Sequence, residues 1–468
     1  MGEIFMERFQ MSDIEKGSSI HFIGIGGISM SGLAQIAIRD GYKVTGSDWN
    51  ETAITDTLAA MGADIVYGRD AVNTEGIKNA SVVVHTAAAK EDNPEMIAAR
   101  EMGKRVIDRA EFLGAVMKNY TRAVGVSGTH GKTTTTSMLA HALIGAGLDP
   151  TISVGGELDL IGGNIKAGHD DYFVTEACEY TNSFLKFYPT IALITNIEED
   201  HLDFFSGIEE IRESFRSFAY LTKGKGTVVA MNDDENVKKA LHGADDLTIV
   251  TYGMTDASDY YPANITYHAG FPSFDVMHGG EKVCTLNLNV PGEHNILNAL
   301  ATIAVCALSE IDMDKAAKGI ETFKGTHRRF EKKGFLNGAV VIDDYAHHPT
   351  EIKATLTAAK KFPHNKIWCV FQPHTYSRTR TLWKEFTEAF DNADELILTH
   401  IYAAREKSDG VTKPENLAED IKKRGQSVRY IETFEDIAKF LTENVREGDI
   451  VFTMGAGNVV DINKLIIK

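Results

Sequence analysis

Cysteine is scarce in this chain: four residues among 468, at 178, 284, 306 and 369, with no C-x-x-C pair. Scattered thiols offer no zinc-ligand spacing and fit a reducing compartment. A basic excess is lacking too. Lys and Arg number 48 against 66 Asp and Glu, a formal net charge of −18. Nucleic-acid and anionic-membrane binders carry a basic footprint, so neither class is expected. An anionic small substrate stays open, because a local cluster of Arg and Lys is enough to hold phosphate. No apolar run approaches the roughly 20 residues that cross a bilayer. The segment Met1-Gly-Glu-Ile-Phe-Met-Glu-Arg8 is charged and has no apolar signal core. A cytoplasmic protein without membrane insertion is expected. Solenoid repeats and low-complexity tracts are absent, and the sequence leaves the oligomeric state unknown.

What is present is alternation. Short β-branched runs (Ser19–Ile23, Lys43–Thr45, Ser81–Val84, Arg105–Ile107) alternate with helical patterns such as Ser29–Arg39 and Pro94–Glu101. That order predicts a parallel sheet with helices on its faces. The pattern restarts at Arg122–Val126, with a helix from Lys132 to about Ile144 and strands at Tyr172–Thr175, Ile191–Thr195 and Thr227–Ala230. Residues 259–290 read as antiparallel strands, and a long helix runs from about Glu293 to Leu308. A third restart begins at Ala339–Ile342, followed by strands at Ile367–Phe371, Glu395–Leu398 and Asp449–Thr453. With 43% hydrophobic and 24% charged residues, each part can bury a core. The expected fold is α/β in three domains. Residues 1–120 form a Rossmann-like N-terminal domain. Residues 121–326 form a central P-loop-type ATPase α/β domain with a small antiparallel sheet. Residues 327–468 form a Rossmann-like C-terminal domain.

Two glycine-rich turns follow strands and open helices. In Gly24-Ile-Gly-Gly-Ile-Ser-Met-Ser-Gly32, backbone N–H groups can face a diphosphate, and Asp48 ends the next strand where it can meet a ribose hydroxyl. Ser29 replaces the third glycine of the dinucleotide fingerprint. The motif suits NAD, a UDP-sugar, or a tight turn with no ligand. The second turn, Gly125-Val-Ser-Gly-Thr-His-Gly-Lys-Thr133, carries more information. It ends as a phosphate loop should, but Val126 stands where the first glycine of that pattern belongs. Gly128 and Gly131 still let the backbone curl around an anion. Lys132 supplies a charge for the β- and γ-phosphates, and the Thr133 hydroxyl can ligate Mg²⁺.

Polar clusters then recur at strand ends. Thr175-Glu176-Ala-Cys-Glu179 and Thr195-Asn-Ile-Glu-Glu-Asp-His-Leu-Asp203 place hard oxygen ligands and a His after two strands of the central domain. Magnesium takes one or two protein ligands, so most acids of 198–203 are expected to support the site indirectly or to face water. Gly292-Glu-His-Asn-Ile-Leu-Asn298 opens a helix, and its Asn side chains can read an adenine edge. Arg328 and Arg329 sit at the proposed domain joint, where they can reach a phosphate or simply face solvent. Asp343-Asp-Tyr-Ala-His-His-Pro-Thr-Glu351 and Gln372-Pro-His-Thr-Tyr-Ser-Arg-Thr-Arg380 end two consecutive strands. Strand C-termini are where open α/β sheets bind ligands.

Taken together and in this order, these motifs resemble those of the Mur ligases of peptidoglycan synthesis, over nearly the whole chain. The resemblance implies an ATP-dependent amide ligase with ATP and Mg²⁺ as cofactors. The Gly24–Gly32 turn and the His-His-Pro run look most like the branch whose substrates are UDP-N-acetylmuramate and L-alanine. The carboxylate is phosphorylated, and the amine attacks the acyl phosphate. The resemblance further implies these residue roles. Gly128, Thr129, His130, Gly131, Lys132, Thr133 and Thr134 hold ATP phosphates, and His294, Asn295 and Asn298 lie at the adenine. Arg329 reaches the phosphates. Thr133, Glu176 and His201 bind magnesium. Tyr345, His347 and Arg378 face the amino acid. Gly24, Gly26, Gly27, Ser29, Asp48, Arg69 and Thr86 hold the UDP-sugar. Lys132, His201, Arg329, His347 and Arg378 are the expected catalytic set.

The chain departs from some relatives at Thr375 (Arg there), Arg69 (His) and Cys178 (Asp), which opens the roles of those positions. A sibling ligase with another amino acid or a peptide as substrate shares the ATP machinery. An NAD-dependent oxidoreductase explains the first turn and Asp48 but leaves the second loop idle. A non-catalytic nucleotide switch leaves the third-domain cluster idle.

Overall fold

The computed structural model describes residues 8–69, 72–202, 204–404 and 406–467. The signal-core reading of residues 1–7 and Asp203 of the acidic run lie outside them. The chain forms two compact units, one of residues 1–197, 211–251 and 304–312, the other of residues 198–210, 252–303 and 313–468.

In the first unit, β1 (Ser19–Ile23), β2 (Lys43–Asp48), β3 (Asp64–Tyr67), β4 (Ala80–His85) and β5 (Arg105–Asp108) form a sheet in the order β3-β2-β1-β4-β5. Every pairing is parallel. The order reverses at β1, so a crevice opens beyond its C-terminal end, where such sheets take their ligands. β1 is fully buried after its first residue, as a strand covered on both faces must be.

The same unit carries β6 (Arg122–Ser127), β7 (Thr151–Leu158), β8 (Gly163–Lys166), β9 (Tyr172–Glu176), β10 (Ile191–Ile194), β11 (Thr227–Met231) and β12 (Thr248–Tyr252), ordered β12-β11-β10-β6-β9-β7-β8. β6 pairs in parallel with β10 on one side and β9 on the other. The loop after β6 therefore emerges between the ends of β9 and β10. The two sheets of this unit dock tightly. A Cβ on Gly32, in the helix Ile28–Arg39, would fall 2.3 Å from Ile165 Cδ1 on β8. Arg39 of that helix donates to Thr151 Oγ1 and the Tyr120 hydroxyl at 2.9 Å each.

In the second unit, β13 (Tyr260–His268), β14 (Phe271–His278) and β15 (Glu281–Asn287) form an antiparallel meander. β16 (Glu331–Leu336), β17 (Ala339–Asp344), β18 (Ile367–Phe371), β19 (Glu395–Leu398), β20 (Val428–Tyr430) and β21 (Ile450–Met454) follow the order β16-β17-β21-β18-β19-β20. Only β16 runs antiparallel to its neighbour. Ile367, Cys369 and Phe371 of β18 face one core with Ile450, Phe452 and Met454 of β21. Trp368, Val370 and Val451 face a second core on the other side. This period of two fills both faces and aims the polar residues beyond each strand at the sheet's C-terminal edge.

Candidate active site

The N-terminal crevice is built on Gly24, whose φ of +74° is left-handed backbone open to glycine. A Cβ there would also strike Thr86 Cγ2 at 2.7 Å. Gly26 donates its N–H to Asp48 Oδ2 at 2.8 Å. Asp48, expected at a ribose, thus also braces the turn. Gly27 caps the helix with no side chain accepting from its first N–H groups, and Ser29 sits in that first turn. Arg69 lies with its guanidinium 5.3 Å from the ring centre of Trp49, which is exposed. Trp49 was not singled out from sequence; its place directly after Asp48 was the available signal.

The second loop is held by the end of β10. His130 donates its N–H to Asn196 Oδ1 at 2.8 Å, and its carbonyl accepts from Thr195 Oγ1 at 2.6 Å and Asn196 Nδ2 at 3.0 Å. Thr129 donates its N–H to the Asn196 carbonyl. A Cβ on Gly128 would lie 1.9 Å from Thr195 Oγ1, so only glycine passes there. Val126 is the fully buried penultimate residue of β6 and needs no glycine. Gly131, at φ +84°, turns the chain into the helix Lys132–Gly145, again with no side-chain cap. Such a helix start offers N–H groups and a positive dipole end to an anion.

Lys132 is turned back into its own loop. Its Nζ donates to the Gly128 carbonyl, to the Thr129 carbonyl at 3.2 Å, and to both Glu179 oxygens at 3.0 and 3.1 Å. Burial disfavours its charge, but Glu179, Cys178 and Glu176 more than offset this and raise its pKa. Glu176 accepts from the Gly155 N–H at 2.5 Å. A Cβ on Gly155 would invade that carboxylate at 2.6 Å, and one on Gly156 would lie 3.5 Å from Thr133 Cγ2. Two adjacent glycines on β7 thus leave room beside Thr133 and Glu176, the hard oxygens expected to hold magnesium, and the donor set fits that ion.

The second unit gathers the remaining residues. Arg378 donates to Asp200 Oδ1 at 2.7 Å and lies 3.0 Å from His374 Nδ1. Burial raises the Asp200 pKa, but the Arg378 guanidinium overrides it and holds this carboxyl well below the usual range. Asp200 is therefore an ion-paired, largely buried group, and Glu198 accepts from Thr350 Oγ1 at 2.7 Å. Both acids are thus held by other side chains of this unit. His201 follows with a left-handed φ of +53°, and its Nε2 is 3.9 Å from Asp200 Oδ2.

The Tyr345 ring is flanked by two guanidiniums, Arg328 at 4.9 Å and Arg329 at 5.1 Å. Arg328 is committed to Asp343 and the Gly455 carbonyl, while Arg329 reaches Glu351 at 3.6 Å. Asp344, which sequence reasoning passed over, organises this corner by accepting from Phe330 N at 2.9 Å and Ala346 N at 2.7 Å. Burial pushes its carboxyl up to about 6. His347 donates its N–H to Glu351 at 3.0 Å, and its Nδ1 lies 3.0 Å from the Tyr345 carbonyl. Burial pulls its imidazole down to about 4, so it is neutral at pH 7. His294 is likewise pulled to about 4 by burial, opposed by Glu351 and aided by Arg329. Asn295 Nδ2 donates to the Pro291 carbonyl at 2.7 Å, and Asn298 Nδ2 to Asn295 Oδ1 at 3.1 Å. Both amides, expected at adenine, here also organise a helix start. Thr375, where some relatives carry Arg, caps the helix Tyr376–Thr381 at φ +65°.

Comparison with known proteins covers almost all of this architecture. Residues 19–121 match the family model "Mur ligase family, catalytic domain". Residues 126–306 match "Mur ligase middle domain", and 328–457 match "Mur ligase, glutamate ligase domain". A UDP-N-acetylmuramate–L-alanine ligase of Caldanaerobacter subterraneus is 50% identical over 457 residues, covering 97% of this chain and 98% of the relative. The enzyme of the same name from Clostridium botulinum is 49% identical over 455 residues, with the same coverage. The crystal structure of UDP-N-acetylmuramate–alanine ligase from Thermotoga maritima is similar with a TM-score of 0.74 at 30% identity, covering 96% of this chain and 97% of that one. A murein peptide ligase from Psychrobacter arcticus gives a TM-score of 0.65 at 26% identity, covering 96% and 98%.

Proposed function

The chain belongs to the Mur ligase family, and on that premise we propose that it joins L-alanine to the carboxylate of UDP-N-acetylmuramate at the expense of ATP, in cytoplasmic peptidoglycan precursor synthesis. The observation that carries this reading is the 50% identity, over 97% of the chain, to a ligase that bears these two substrates in its name. Among the described residues no helix is long and apolar enough to cross a membrane.

A carboxylate does not condense with an amine in neutral water, because oxide is a very poor leaving group. In the proposed reaction a carboxylate oxygen attacks the γ-phosphorus of ATP, and ADP leaves. The amine nitrogen of alanine then attacks the acyl carbon, the C–OP bond breaks, and phosphate leaves with the electron pair. The ammonium proton is lost to solvent or a nearby base. Catalysis is therefore positioning plus neutralisation of charge. Lys132 and the N–H groups opening its helix take the ATP phosphates, and Arg329 adds charge at the transferring group. Arg378 binds the alanine carboxylate in place of Asp200, which it holds in a comparable geometry. His347, neutral by burial, and Tyr345 shape the wall beside the amine. His294, Asn295 and Asn298 border the adenine. The Gly24–Gly27 turn, Ser29, Asp48, Arg69 and Thr86 take the UDP-sugar. Thr133 and Glu176 would hold Mg²⁺, with His201 at a second ion, and the ion would supply charge to shield the phosphates.

Trapping tests the order of steps. With ATP, Mg²⁺, UDP-N-acetylmuramate and hydroxylamine but no alanine, the enzyme should yield the hydroxamate of the sugar. ATP turnover with alanine and no hydroxamate under those conditions would contradict the acyl phosphate.

A further inference from the structure

Glu179 belongs to the E-A-C-E run, yet none of the roles above uses it. Its side chain is 3% exposed and meets Lys132 Nζ with both oxygens, at 3.1 and 3.0 Å. The two other contacts of Nζ are carbonyls of its own loop, Gly128 and Thr129. An ammonium has three N–H bonds. In this geometry its partners are all protein oxygens, so a γ-phosphate is met only when Lys132 gives up one of them, and Glu179 is the charged one.

Glu179 is no adaptable surface chain. The residues after it fold into the 3-10 segment Tyr180–Lys186, with left-handed backbone at Thr181 and Asn182. Asn182 N donates to the Glu179 carbonyl at 2.9 Å, and Phe184 N to the Cys178 carbonyl at 3.1 Å. Phe184 stacks on Phe218 at 4.7 Å in the core. At the far end Lys186 pairs with Asp108 of the N-terminal sheet. The neighbouring acid, Glu176, is held elsewhere by Gly155, so the two carboxylates of the run have separate tasks.

We propose that Glu179 is a positioning residue that parks Lys132 in the nucleotide-free loop and competes with phosphate for its ammonium. ATP displaces the carboxylate, and the cost of that exchange weakens nucleotide binding. Charge-assisted hydrogen bonds are stronger than neutral ones. Releasing the competition should tighten binding about tenfold. The inference rests on the ATP reading of the loop.

The test is calorimetric titration of the whole chain with ATP in excess EDTA, so that no metal contributes. Glu179→Gln should lower the ATP Kd about tenfold, and Glu179→Asp, whose carboxylate is one methylene shorter, should lower it by less. In the Lys132→Ala background the same Glu179→Gln change should have no effect. A merely structural Glu179 would weaken binding or melt the protein and would not tighten it. An unchanged or larger Kd in a folded Gln variant overturns the proposal; if that variant does not fold, an unchanged or larger Kd in the Asp variant does so. Failure of the wild-type chain to bind ATP, with or without Mg²⁺, overturns the ATP reading itself and the proposal with it.

Discussion

Lys132 is the residue to which the proposed mechanism gives the ATP phosphates, and its surroundings fix what its loss does. It opens the helix Lys132–Gly145 and its Nζ makes polar contacts, so Lys132→Ala should fold, at some cost in stability from the buried Glu179 carboxylate left behind, and should lose about 10²–10³-fold in kcat, as removal of one preorganised charge does. Near wild-type turnover would remove the loop from the mechanism. Arg69, stacked over Trp49, carries a second test: Arg69→Ala should raise the KM for the UDP-sugar several-fold and leave that for ATP unchanged, whereas an unchanged sugar KM ends its assigned role. The buried histidines make stability depend on pH. His141, His294 and His347 are each pulled from 6.5 to about 4 by burial. The unfolded chain takes up these protons first, so their contribution is complete above about pH 6.5 and is lost as pH falls toward 4. Asp344, raised from 3.8 to about 6, works in the opposite sense: it contributes at low pH and is lost as pH rises through 6. Three groups outweigh one, so the urea midpoint should fall between pH 7.5 and pH 5. A midpoint that rises on acidification would contradict these environments.

At the scale of elements, the fully buried segments were legible in the sequence and most half-exposed strands were not. β18 and the helix Glu293–Leu308 lie where the pattern puts them, because continuous apolar runs mark strands covered on both faces. β7 and β12, inside the central sheet, went unread, and so did the edge strands β3, β8, β16 and β20. The edge strands carry largely half-exposed residues, and half-buried residues leave no apolar run to find. Gly32 was read as the last residue of a ligand turn, whereas its structural task is contact with Ile165 on β8. Gly32→Ala should therefore cost about 1–3 kcal/mol by overpacking, read as a lower melting temperature, and Ile165→Ala in the same chain should recover part of it. No change in melting temperature in the single variant would show that the two sheets of this unit dock more loosely than described.

For the molecule as a whole, the sequence exposes the groups proposed to carry the chemistry and hides those that hold them. Lys132, Arg378 and His347 stand in dense polar runs at strand ends and are found there. Asp200, Asp344, Thr195 and Asn196 stand in the same runs, but their tasks are bracing a guanidinium, a corner and a loop, and such pairings exist only after folding. The central claim is that all of this serves one ligation. The most direct test is phosphate release from ATP with Mg²⁺ and UDP-N-acetylmuramate, each amino acid being added singly. The account predicts release that requires both the UDP-sugar and L-alanine. Release with a different amine alone, or none with any amine, would contradict it.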